Sequence, residues 1–173
     1  MEVIVKFAKP QNSHYANNDY TNSDAIIKNV RYIFRGARKL PKKSRVYGVV
    51  GSPFKDEIMI EKDFKKIKAL YSSLDGVQVK HIIISMEKSS LCSRKQLEKY
   101  ISKLCDFFSD KHQVAYALHQ NDSGNYHIHL IINTTGINGK RLHISGKDWA
   151  LFKKQAKKYW KKYSRYYTYE EYS

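Results

Sequence analysis

The sequence predicts one α+β domain: a mainly antiparallel five-stranded sheet with helices packed on it. Length is the first reason, because 173 residues suit a single domain and are enough to bury a core. Periodicity is the second. Runs with apolar residues at every other position are interleaved with runs in which they recur every third or fourth. Thirdly, no internal repeat or linker divides residues 1–173.

The opening EVIVKF alternates and reads as a strand; the polar stretch that follows, residues 10–22, is too poor in apolar groups to pack and reads as a mobile loop. DAIIKNVRYIFRGARK reads as a helix with Ser23 as N-cap and Ile26, Val30, Ile33, Phe34 and Ala37 on its apolar stripe. Tyr32 lies roughly 160° from the centre of that stripe at 100° per residue, so packing does not account for it. RVYGVVG and EIMI are short strand candidates. EKDFKKIKALYSSL is a helix with Phe64, Ile67, Leu70, Tyr71 and Leu74 inward. VQVKHIIISM is a strong strand, and SRKQLEKYISKLCDFF is a helix opened by a Ser93/Gln96 capping box, with Leu97, Ile101, Leu104, Cys105 and Phe108 on one face. HQVAYALH and NYHIHLIIN make a hairpin. The last helix runs from about Asp148 to Tyr163, with Trp149, Phe152, Ala156, Trp160 and Tyr163 as its stripe, and a Tyr-rich tail occupies 165–173.

Lys and Arg number 32 against 16 acidic residues, a formal charge of +16 spread along the whole chain. Such a surface suits a polyanion, with nucleic acid ahead of a membrane. The opening MEVIVKFAKPQN lacks the charged start and long apolar run of a signal peptide, and no apolar run is of membrane-spanning length, so a cytoplasmic location is expected. Cys92 and Cys105 form no CxxC pair and read as buried free thiols. GxxxxGK[ST], GxGxxG and HExxH are all absent, which leaves triphosphate, dinucleotide and metalloprotease chemistry unsupported.

Three of the seven histidines, His119, His127 and His129, fall within YALHQNDSGNYHIHLIIN. Residues two apart in a strand share a face, so His127 and His129 project together while Ile128, Leu130 and Ile132 project the other way. If His119 pairs opposite Asn125, then Ala117 and Ala115 lie opposite His127 and His129. His119 is then the diagonal neighbour of His127, roughly 7 to 8 Å away by backbone. Imidazoles so placed can converge on one ion, with nitrogen ligands about 2.0 to 2.1 Å from a zinc-sized metal and coordination positions left open for catalysis. A lone HxH is as often a solvent-facing pair; the third histidine across the hairpin favours a metal. Asp122 and Asn133 are candidates to orient the rings by hydrogen bonds.

These segments resemble the mobilisation relaxases of plasmids and conjugative elements, within the HUH (histidine, hydrophobe, histidine) endonucleases. HIH at 127–129 is that motif. KALYSSLDGVQVKHIIISM resembles the family's segment ahead of it, and ALHQNDSGNYHIHLIIN with the following GKRLH resembles its three-histidine signature and basic hairpin. IKNVRYIFRGARK resembles the helix bearing the catalytic tyrosine. The likeness spans about residues 24 to 164. Asp122 departs from it, standing three residues after His119 where many relaxases have an acidic residue two after.

The resemblance implies metal-dependent, site- and strand-specific DNA nicking and rejoining through a covalent 5′-phosphotyrosine, initiating transfer. Tyr32 is then the nucleophile, with Arg31, Arg35 and Arg38 nearby to hold phosphate and His81 a candidate to touch phosphate or orient a ligand. His119, His127 and His129 hold a divalent cation: Mn, Mg or Zn, since imidazole sites are permissive. The partners implied are single-stranded DNA at a transfer origin and accessory mobilisation proteins. Full-length relaxases usually continue into a further domain, so an isolated nuclease domain or a compact element protein is expected. Among the 14 tyrosines, Tyr15 and Tyr20 are weaker nucleophile candidates. A rolling-circle initiator or single-strand transposase would use Tyr159 or Tyr163 instead, although core packing explains both. A non-catalytic single-strand-binding module would need only the charge and the interleaved aromatics.

Overall fold

Alternation along the strands puts one set of side chains against one pair of helices and the other set against a second pair. The computed structural model describes residues 3–8, 20–86 and 93–165. Its strands are β1 (Val3–Phe7), β2 (Tyr47–Val50), β3 (Val79–Met86), β4 (Val114–Gln120) and β5 (Tyr126–Asn133). They form one sheet in the order β1-β3-β5-β4-β2, and every pairing is antiparallel. The helices are α1 (Ala25–Arg38), α2 (Glu57–Leu70), α3 (Arg94–Ser109) and α4 (Gly146–Arg165). The α+β reading and the five strands are as predicted. The polar loop expected to be mobile and the Tyr-rich tail fall mostly on residues outside those described, as do Tyr15 and Cys92.

Ile82, Ile84, Ile128, Leu130 and Ile132 meet Leu97, Ile101 and Leu104 of α3 and Phe152, Ala156 and Trp160 of α4 in one core. On the other face Val79, Ala115, Ala117 and Ile131 meet Ile26, Val30, Ile33 and Phe34 of α1 and Ile60 and Phe64 of α2. The sheet is therefore the middle of three layers. Helix α1 lies chiefly over β4. Ile4, Lys6, Ile83 and Ser85 share its face of the sheet through the ladder with His127 and His129, yet all four stay exposed or half-exposed. Among the described residues, no helix covers that part of this face of the sheet, which forms an open floor.

The Ser93/Gln96 capping box is present, with Gln96 N donating to Ser93 Oγ at 3.2 Å and Ser93 N to Gln96 Oε1 at 2.9 Å. Cys105 is a buried free thiol, pushed up to about 12 mainly by desolvation.

Three local expectations need correction. EIMI is the first turn of α2, not a strand, because the Asp56 carboxylate accepts from Ile58 N at 2.9 Å and Met59 N at 3.1 Å and so starts a helix there. That earlier start makes Ile60, Phe64 and Lys68 the buried stripe of α2; Leu70, Tyr71 and Leu74 are exposed, Leu70 by 70%. Helix α1 begins after Asp24 rather than Ser23. The Asp24 side chain makes no cap hydrogen bond and instead pairs with Lys28 at 2.6 Å.

Candidate active site

In the hairpin, His119 pairs directly opposite His127 and Ala117 opposite His129, while Ala115 faces Ile131. The predicted register was two residues off. The reason is the loop: Asn121 accepts from Asn125 N through its Oδ1 at 2.9 Å and donates its own N–H to Asn125 O at 3.0 Å, closing the turn over 121–125. A shift of two keeps every side chain on its face, and it brings the His119 and His129 ring centroids to 4.1 Å. His127 lies 6.4 Å from His129 by the same measure.

A fourth imidazole joins them. His81 is the third residue of β3, which lies next to the central strand β5, and its Nε2 lies 2.9 Å from His129 Nδ1. On its far side His81 Nδ1 lies 3.3 Å from the Tyr20 hydroxyl.

Helix α1 supplies the other wall. His119 Nε2 lies 2.7 Å from the Ile33 carbonyl, which can only accept, so Nε2 carries the proton and Nδ1 keeps the lone pair. Gly36 makes room for this ring: a Cβ there would stand 2.2 Å from His119 Nε2. Tyr32, four residues earlier and hence on the same flank of the helix, presents its ring edge-on to His119 at 5.6 Å and His129 at 5.9 Å. It remains 56% exposed. Thus a phenol open to solvent stands against an imidazole cluster whose inner pair, His81 and His129, is buried.

Burial pushes all four imidazoles toward the neutral form. His129 is held well below the usual range by desolvation first, then by neighbouring His119, His81 and His127. His81 is lowered to about 4 by desolvation and then by His119. Desolvation also lowers His119, partly offset by the Ile33 carbonyl, and lowers His127, with Lys6 adding to the effect. Their lone pairs are therefore available near neutral pH.

The donor set fits a divalent cation on one specific observation: His129 Nε2 is buried with no hydrogen-bond partner among the described residues. With the free Nδ1 of His119 and the half-exposed ring of His127, it makes three neutral nitrogen donors. Among the described residues no three His, Cys, Asp or Glu side chains already stand as ligands of one ion. His119 is turned toward Ile33, so the fit is one of donor chemistry.

Residues 32–165 match the family model for the MobA/VirD2-like relaxase nuclease domain, beginning at Tyr32 itself. The chain belongs to that family. It is 32% identical over 93 residues to Protein rlx of Staphylococcus aureus, a match covering 53% of this chain and 29% of that protein. This relaxase domain therefore matches under a third of its relative's length. Its fold also matches a structure solved for the molecular basis of vancomycin resistance transfer in Staphylococcus aureus, with a TM-score of 0.60 over 98% of this chain and 94% of the other. Identity there is 12%, so that likeness concerns the fold alone.

The remaining candidates separate by position. Arg31 and Arg35 of the relaxase domain are exposed beside Tyr32 and form no ion pair among the described residues. Arg38 does not share that freedom. It is paired with Glu57 and lies over the Tyr47 ring at 5.5 Å, which ties α1 to the start of α2. Asp122 is exposed in the hairpin turn. Asn133 lies at the other end of β5, fully buried, with its Nδ2 donating to Gln113 Oε1 at 2.8 Å and Phe64 O at 3.1 Å. Tyr159 and Tyr163 pack against the α3 and α4 core, across the sheet from the histidines. Tyr20 is a poor nucleophile because desolvation pushes its phenol up to about 12.

Sequence reasoning missed Gly36 and the partnership of Tyr20 with His81. A signal existed for the first: a glycine inside IFRGAR costs about 1 kcal/mol of helix propensity relative to alanine, a cost that calls for a close neighbour. For Tyr20 there was none, since its contact spans 61 residues of sequence.

Proposed function

We propose that this relaxase domain nicks and rejoins one DNA strand through a 5′-phosphotyrosine at Tyr32, starting plasmid or mobile-element transfer from an origin in the cytoplasm, with accessory mobilisation proteins. The observation carrying this reading is the exposed Tyr32 ring set 5.6 and 5.9 Å from the rings of His119 and His129.

Tyr32 Oη attacks the scissile phosphorus; the Oη–P bond forms as the P–O3′ bond breaks. The phenol proton leaves to solvent, to which Tyr32 is open, and the departing strand ends as a 3′-hydroxyl after taking up a proton. A phenolate is a good leaving group because its conjugate acid has a pKa of about 10, so a 3′-hydroxyl can reverse the step and reseal a strand. A Mn, Mg or Zn ion held by His119, His127 and His129 supplies positive charge for the non-bridging phosphate oxygens. Arg35, three residues on from Tyr32, and Arg31 hold the flanking phosphates. The strand lies on the open floor beside α1, where Ile4 and Ile83 offer apolar contact to bases and Lys6 a cation to the backbone. Burial pushes the imidazoles toward the neutral form and shields His81 and His129 from water.

The test is cleavage of labelled single-stranded oligonucleotides tiling the transfer origin of the element that encodes the chain, with Mn²⁺ or with chelator. One metal-dependent nick and strand exchange between differently labelled oligonucleotides are expected. Tight binding that never cuts, indifferent to metal, would overturn the reading in favour of a binding module.

A further inference from the structure

Three of the four clustered imidazoles have been given a cation to hold, and the fourth has not. His81 is 5% exposed and His129 3%. Their rings meet at 2.9 Å between His81 Nε2 and His129 Nδ1, and His81 passes on to the Tyr20 hydroxyl at 3.3 Å. Tyr20 is held in place by its own backbone, whose carbonyl accepts from Gln78 N at 2.7 Å, just ahead of β3. The chain Tyr20–His81–His129 is thus anchored at one end and enters the cluster at the other.

We infer that Tyr20 and His81 are positioning residues that fix His129 in one tautomer, with the proton on Nδ1 and the Nε2 lone pair turned into the site. Proton counting leaves two arrangements. In one, Tyr20 donates to His81 Nδ1, His81 Nε2–H donates to His129 Nδ1, and His129 Nε2–H is a buried donor with nothing to receive it. In the other, His129 Nδ1–H donates to His81 Nε2 and His81 Nδ1–H donates to the Tyr20 oxygen. His129 Nε2, which has no partner among the described residues, is then a lone pair that a cation satisfies. The second arrangement leaves no orphaned N–H. It also aligns the ring as ligand-orienting hydrogen bonds do at metal sites. Here the partners are a neutral imidazole and a phenol, and among the described residues no carboxylate hydrogen-bonds either ring. The chain orients His129 without cancelling the cation's charge, which stays available to phosphate.

This inference rests on the reading of His129 as a ligand, and its test is made without DNA so that it stands apart from the nicking assay. Long-range ¹H–¹⁵N spectra of the labelled full chain at neutral pH report each histidine's tautomer, and calorimetry with Zn²⁺ reports affinity. Wild type is expected to show Nδ1–H for both His81 and His129. Tyr20→Phe removes the acceptor for His81 Nδ1–H, so His81 should shift toward Nε2–H, His129 should lose its single tautomer, and Zn²⁺ affinity should fall roughly tenfold. His81→Phe keeps an aromatic ring in the core and should lower affinity by roughly 10 to 100-fold. An Nε2–H tautomer at His129 in wild type would overturn the inference. So would a Tyr20→Phe protein, folded by the same spectra, whose tautomers and Zn²⁺ affinity match wild type within about twofold.

Discussion

Replacing one hydrogen of Gly36 by a methyl group puts a carbon 2.2 Å from His119 Nε2 and under 3 Å from two further atoms of that ring. Helix propensity alone would reward Gly36→Ala with about 1 kcal/mol. The neighbour here is an imidazole held to the Ile33 carbonyl, so the substitution is expected to displace His119 while leaving helix content intact. Nicking should fall by about 100-fold, the scale of an ångström-sized misplacement at a reacting centre, with an unchanged far-UV circular dichroism spectrum. The histidines themselves were legible in the sequence, because HIH spacing fixes a shared face whatever the register. Asn133 was not well placed by that reasoning: nearness in sequence to His129 did not reveal that four residues of strand carry it to the Gln113 and Phe64 end of the sheet.

Elements were legible where periodicity was long and misread where it was short. The α3 stripe and its capping box run as predicted, whereas EIMI has too few residues to show a period and its helical state is set by the Asp56 cap. Asp56→Ala is expected to cost about 1 kcal/mol, measured by urea unfolding. The hairpin register was fixed by an Asn121 side-chain hydrogen bond that alternation cannot report. Helix α2 holds another surprise, the fully buried Lys68, which donates to Thr134 Oγ1 at 2.8 Å and Thr135 Oγ1 at 3.3 Å. Desolvation lowers its pKa from 10.5 to about 8, with Arg141 adding a smaller push. Between those values the unfolded chain binds the proton and the folded one does not, so this group's contribution to stability rises with pH across about 8 to 10.5. Both threonine hydroxyls keep other partners without it. Lys68→Met should therefore raise stability at pH 7 by about 1 to 3 kcal/mol, and the difference from wild type should shrink as pH rises through that window.

At the scale of the whole molecule the sheet acts as a partition. Tyr32 and four imidazoles lie on the α1 side; Tyr159 and Tyr163 belong to the core on the α4 side. Tyr159→Phe and Tyr163→Phe are therefore expected to nick at wild-type rates within about twofold, by the same oligonucleotide assay. The sequence announced the composition of the two layers through their stripes, but not that α1 would leave β1 and the edge of β3 open, since coverage depends on where a helix lands on a sheet. The +16 charge was legible at once, and single-strand affinity is expected to fall steeply with salt as released counterions accumulate.

One measurement reaches the central claim directly. The protein is incubated with single-stranded DNA bearing the nick site and Mn²⁺, denatured and digested, and the DNA-linked peptide is mapped by mass spectrometry. The account predicts a metal-dependent adduct on the peptide containing Tyr32, absent from Tyr32→Phe. An adduct on Tyr159 or Tyr163, or one that persists in Tyr32→Phe, would contradict it.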